Sequence, residues 1–162
     1  AGYGRGLTNG RALGIAVQES FGSFVAEIAE VSLDEKRRPV IHKVTCAIDC
    51  GWAVNPDTIE AQVESGIIYG LTAAMYGEIT IENGQVVQGN FPEYEMIRMS
   101  TSPEIEVHII ESGEALGGLG EPATPPIAAA VTNAIYILTG QRVRNLPIKN
   151  HDFSENSPLA RV

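Results

Sequence analysis

The sequence predicts an α+β fold, mainly antiparallel strands with two main helices. Segments of alternating apolar and polar residues open the chain and are joined by short turns. Two longer segments place apolar residues at helical spacing instead. Strands and helices fall in separate runs rather than alternating one by one, which argues against a doubly wound sheet.

The first strand is expected over residues 12–19 and the second over 23–33. In the second, Phe24 or Val25 followed by Ala26, Ile28, Val31 and Leu33 supplies the apolar positions. Glu27 and Glu30 interrupt them and read, with Arg98, as solvated or ion-paired charges. Asp34 to Pro39 forms a turn into a third strand over 40–50, so the opening is an antiparallel meander. Asn55 can cap a helix with Pro56 in its first turn, running to about Met75. Ile59, Val63, Ile67, Leu71 and Ala74 mark its apolar face. Gln62, Gly66 and Gly70 form a second stripe, each four residues on. Glycine inside a helix costs about 1 kcal/mol, so the stripe indicates something packed very close: the sheet, or a ligand. Asn83-Gly84 is a hairpin signal between 78–81 and 85–88. A looser segment follows over 90–98, then a strand over 104–110. The second helix opens at the prolines 125–126 and stops at Gly140. From Lys149 the chain is polar, and the tail 149–162 is expected to pack poorly.

The chain has 162 residues, enough for one domain with a real core. A formal net charge of −9 and the lack of a basic stripe argue against a nucleic-acid partner. No apolar run is long enough to span a bilayer, and no basic-then-apolar signal segment opens the chain. The chain does not begin with Met and reads as a piece of something longer. Cys46 and Cys50 would lie about 13 Å apart on one strand face, too far for a disulfide. His42, His108 and His151 stand in unrelated contexts, so no metal ligand set is assigned, and the cysteines read as small buried apolar residues.

Chemistry concentrates in Gly117-Gly118-Leu119-Gly120-Glu121-Pro122. Glycines let a ligand approach bare backbone, and a carboxylate before a helix start is well placed as a general base. The plain alternative is a surface carboxylate that stabilises the helix start. Gln62 can donate and accept hydrogen bonds at a polar cofactor edge, with Gly66 leaving room beside it. Asp49, Asn55 and Asp57 read as turn and cap residues. The opening Gly2-Gly4-Gly6 follows no strand and fails as a dinucleotide loop.

Several stretches together carry a resemblance. They are Gly14 to Ser23, Asp49-Cys50-Gly51, Asn55 to Thr58, Ala61 to Leu71, Asn90 to Val107, and Gly117 to Ala128. In this order they resemble the second cofactor-binding domain of molybdenum hydroxylases, the xanthine dehydrogenase and aldehyde oxidase family. The closest flavour is the large subunit of isoquinoline 1-oxidoreductase-type enzymes. The resemblance covers residues 10–148, taken as the carboxy-terminal portion of a molybdopterin-binding domain (1–148).

That resemblance implies hydroxylation of an N-heterocycle or aldehyde with water as oxygen source. It implies Glu121 as the general base that takes a proton from a metal-bound hydroxyl. It places the cofactor, molybdopterin cytosine dinucleotide, against Gln62, Ser65, Gly66 and Gly120. Electrons would leave through [2Fe–2S] clusters on a small partner subunit, because this chain has no iron–sulfur cysteine pattern. Ser65 stands where relatives often have glycine. Many relatives of this branch are exported to the periplasm, which leaves the compartment open. The family's large subunit is several times longer, so the 162 residues alone are expected to bind no cofactor tightly and to turn nothing over. A non-catalytic assembly domain of the same fold is the competing reading.

Overall fold

A computed structural model describes residues 2–4 and 9–154; Gly6 and the tail beyond Ser154 lie outside the described residues. The strands are β1 (Arg11–Ser20), β2 (Ser23–Leu33), β3 (Pro39–Asp49), β4 (Ile81–Glu82), β5 (Gln85–Val86) and β6 (Glu104–Ile109). The helices are α1 (Pro56–Met75) and α2 (Pro126–Thr139). β1, β2, β3 and β6 form one sheet in that order, and β4 and β5 form a separate hairpin.

The first three strands are the expected meander, paired antiparallel. β6 pairs parallel to β3, from Lys43 opposite Glu104 to Ile48 opposite Ile109. A parallel neighbour requires a long crossover, which α1 and the arm behind it supply. α2 lies against β1 and β2, and α1 against β6 and α2. The core fills the space between sheet and helices, with Val44, Ile48, Ile67, Leu71, Ile127 and Ile135 fully buried.

Local chemistry sets the boundaries of both helices. The Asn55 side chain accepts the Thr58 N–H at 3.1 Å, capping α1, and Pro56 occupies the first turn. α2 ends at Gly140, whose φ of 73° is the left-handed helix stop that glycine adopts most readily. The short hairpin turns on Asn83 and Gly84 as expected.

Three expectations are corrected. In β2 the buried residues are Ser23, Val25, Glu27, Ala29 and Val31, whereas Ala26 and Ile28 are only half-buried. Glu27 is therefore a core residue and not a solvated charge. Glu30 does pair with Arg11, on the opposite face. The tail also packs as far as it is described: Phe153 is buried, and its carbonyl accepts the Arg37 Nε–H at 3.0 Å. Third, the glycine stripe of α1 meets the start of α2 instead of the sheet. A Cβ at Gly70 would lie 2.3 Å from the Thr124 carbonyl oxygen. At Gly66 the nearest atoms, on Ala123 and Thr124, would be 3.3 Å away.

Among the described residues no helix is long and apolar enough to cross a membrane. Nor does any group of three or more His, Cys, Asp and Glu among them form a metal cluster. Cys46 and Cys50 are free and buried, as their spacing implied.

Candidate functional site

The glycine loop crosses one end of the sheet, and the ends of three strands hold it there. The Gly117 N–H donates to the Cys50 carbonyl at 3.0 Å, and the Gly118 N–H donates to the Phe21 carbonyl at 2.7 Å. The buried Ser23 hydroxyl donates to the Gly118 carbonyl at 2.7 Å. Two of the glycines are dictated by this contact. A Cβ at Gly117 would sit 2.3 Å from Ser23 Oγ, and one at Gly118 would sit 2.7 Å from Phe21 Cβ. The bare backbone expected to receive a ligand is, at these two positions, occupied by the β1–β2 turn.

Gly120 differs. Nothing lies within 4 Å of a Cβ built there, and its φ is not positive. Like Gly89, where a Cβ would meet only the end of the Glu93 side chain at 3.6 Å, it is explained by neither close packing nor a left-handed backbone. The Gln62 side-chain amide reaches across from α1 and donates to the Gly120 carbonyl. The Gln62 Oε1 has no partner among the described residues and remains an available acceptor.

Glu121 follows directly. It is exposed, and its side chain makes no hydrogen bond or ion pair among the described residues. Its own carbonyl accepts the Thr124 N–H at 3.0 Å, in a turn that leads into α2. Pro125, before the helix, supplies no side-chain cap. The first turn of α2 therefore keeps backbone donors that no side chain caps.

The structure brings Gln62, Gly66, Gly120 and Glu121 into one region, where α1, the loop and the start of α2 meet. Ser65 opens onto a different groove, of about 760 Å³, which Ile68, Tyr94 and Pro103 also line and none of those four residues does. Asp49 serves the turn: its carboxylate accepts the Gly51 N–H at 3.0 Å and the Ser112 hydroxyl at 2.8 Å.

Two residues escaped the sequence reading. Ser23 was read only as the start of the second strand and the end of a stretch that carries the resemblance. Glu27 sits in the odd-numbered run with Val25, Ala29 and Val31, a pattern that could have flagged it. Burial pushes the Glu27 carboxyl up to about 8, and both of its oxygens are buried without a hydrogen-bond partner among the described residues. Around the loop the sheet end is apolar and open, with Phe21, Phe24, Trp52, Val54 and Leu116 exposed.

A family described as the molybdopterin cofactor-binding domain matches residues 14–103, ending before the glycine loop. Isoquinoline 1-oxidoreductase subunit beta of Brevundimonas diminuta is 36% identical over 141 residues, covering 86% of this chain and 18% of that subunit. The membrane-bound aldehyde dehydrogenase (pyrroloquinoline-quinone) of Gluconacetobacter polyoxogenes is 33% identical over 126 residues, 77% of this chain and 16% of that protein. Among solved structures, quinoline 2-oxidoreductase from Pseudomonas putida 86 superposes with a TM-score of 0.70 and 22% identity. That superposition covers 78% of this chain and 17% of the other, and shows a shared fold. The chain thus spans less than a fifth of the length of each of these proteins.

Proposed function

This chain belongs to the molybdopterin cofactor-binding domain family, and from that premise we propose that it is the carboxy-terminal part of the molybdenum-binding subunit of an oxidoreductase. The reaction would hydroxylate an N-heterocycle or an aldehyde, with water as the oxygen source and Glu121 as general base. The observation that carries this reading is Gly120. Its open α-carbon, beside the free acceptor of Gln62, is a cradle that a Cβ would partly fill and that no described residue uses.

The residues present fit the cofactor. Gln62 offers a neutral amide edge, and Gly120 presents no side chain to crowd a ring system; Gly66 is packed against Ala123 and Thr124 and would serve by letting the start of α2 approach that edge. Ser65 opens onto the neighbouring groove of α1 and would meet only a part of the cofactor that extends there. When bound, the molybdenum cofactor, here its cytosine dinucleotide form, supplies two-electron redox chemistry. Partner [2Fe–2S] clusters on a small subunit would carry the electrons away.

The chain's own part is to hold a proton acceptor still. Glu121 has carboxylate oxygens free of intramolecular bonds among the described residues, so they can accept a substrate-side proton. The loop before it is tied to Phe21, Ser23, Cys50 and Gln62, so its backbone needs little rearrangement. The exposed apolar sheet end fits contact with the larger remainder of such a subunit.

The test uses the complete protein that contains this chain. Glu121→Gln should lower turnover by about 10²-fold or more while molybdenum content, measured by elemental mass spectrometry, stays at the wild-type level. Parallel loss of molybdenum would make Glu121 a structural residue. A wild-type protein without molybdenum would remove the cofactor reading and favour the quinone named for one relative.

A further inference from the structure

We propose that Ser23 is a positioning residue for Glu121, acting through the glycine loop; this rests on the reading of Glu121 as the base. Ser23 opens β2, which is hydrogen-bonded on both sides within the sheet, and it is fully buried. A buried hydroxyl requires a partner, and this one donates to the Gly118 carbonyl, three residues before Glu121. It also fills the space that a side chain at Gly117 would need. Ser23 is thus the point where the loop is referenced to an interior strand of the sheet.

The turn before Ser23 points the same way. Ser20 pairs with Ser23, so Phe21 and Gly22 form a two-residue hairpin turn, with φ of 57° and 75°. Asn or Gly suits the first position of such a turn, and a bulky residue there is strained. The Phe21 ring is exposed, so its burial does not offset the strain. What the conformation does provide is a carbonyl aimed at the Gly118 N–H. Gly118 is therefore held by both its donor and its acceptor, and Gln62 holds Gly120 on the other side of Leu119. Removing the Ser23 hydroxyl orphans the Gly118 carbonyl and opens a gap beside Gly117, so the loop can drift.

The experiment compares Ser23→Ala and Ser23→Thr with wild type and Glu121→Gln in the complete protein. Ser23→Ala should lower kcat about ten-fold or more, since misplacing a catalytic group by an ångström costs on the order of 10²-fold. KM, molybdenum content and melting temperature should stay near wild type, and Thr, which keeps a hydroxyl, should restore kcat. Amide hydrogen exchange gives a readout independent of turnover: residues 113–121 should exchange faster in Ser23→Ala while β1–β3 stay protected. Wild-type kcat together with wild-type loop exchange would overturn the proposal. So would loss of molybdenum or global destabilisation in proportion to lost activity, which would make Ser23 merely structural. If Glu121→Gln keeps full turnover, the base assignment fails, and the exchange result still decides whether Ser23 holds the loop.

Discussion

Glu27 faces Cys46 across the β2–β3 pairing, and both side chains are buried on the covered face of the sheet. Burial pushes the Cys46 thiol up to about 12, with the negative charge of an ionised Glu27 adding to the effect. Among the described residues no cation lowers the Glu27 pKa, and burial alone raises it, so the neutral acid is the state the core accepts.

This makes stability depend on pH in a defined direction. Glu27 gives up its proton near 4.5 in an unfolded chain and near 8 in the folded one. Between those values the folded state binds the extra proton, so stability falls as pH rises. The contribution is complete below the lower value and gone above the upper one. Glu27→Gln keeps the shape without the titration. Thermal melts of both proteins at about pH 5 and about pH 8 should show wild type losing several kcal/mol relative to the variant. Parallel pH profiles would show that Glu27 ionises in the core without penalty.

The glycine stripe of α1 gives a prediction that separates two positions of identical chemistry. Alanine improves an exposed helix by about 1 kcal/mol over glycine. At Gly70 the new methyl would lie 2.3 Å from the Thr124 carbonyl oxygen and 2.6 Å from Ile127 Cγ2, in the core where α1 meets α2. At Gly66 the nearest atoms are 3.3 Å away, on side chains. Gly70→Ala should therefore destabilise by about 2 kcal/mol or more, and Gly66→Ala should stay within about 1 kcal/mol of wild type. Urea unfolding of both variants measures this. Equal effects would mean that the helices can shift apart at no cost.

The elements that local chemistry dictates were legible in the sequence. Asn55-Pro56 and Gly140 carry their own capping signals, and α1 begins and α2 ends where those residues place them. Alternation fixed the extent of β2 but misassigned its faces. Ala26 and Ile28 look more apolar than a run containing Glu27, and only the covering of the sheet by α2 decides between them. The parallel pairing of β6 depends on the path of the crossover, and no residue within the strand encodes it. Within the site, Gln62, Gly66 and Gly120 were found as a stripe and a loop, yet Ser65 faces another groove because one residue along a helix turns the side chain by a quarter turn or more. Ser23 was invisible as a functional residue, since its partner lies 95 positions away.

Gly120 provides the sharpest separation of fold from function. Its backbone is open to any residue, and a methyl there would touch no described atom. Gly120→Ala should leave the melting temperature unchanged or slightly raised, because alanine restricts the unfolded chain at a cost-free position, an effect of about 0.4–1 kcal/mol. The hydrogen bond from Gln62 goes to the backbone carbonyl, and the substitution spares it. If the cofactor lies against this α-carbon, the same methyl projects into it. Molybdenum per protein in the complete enzyme should then fall several-fold, with a proportional fall in activity and normal turnover per bound molybdenum. A variant that retains full molybdenum would show that the cradle at Gly120 is not a cofactor contact. The case for Gln62 and Gly66 as its neighbours would fall with it, because their grouping around the cofactor depends on that open carbon.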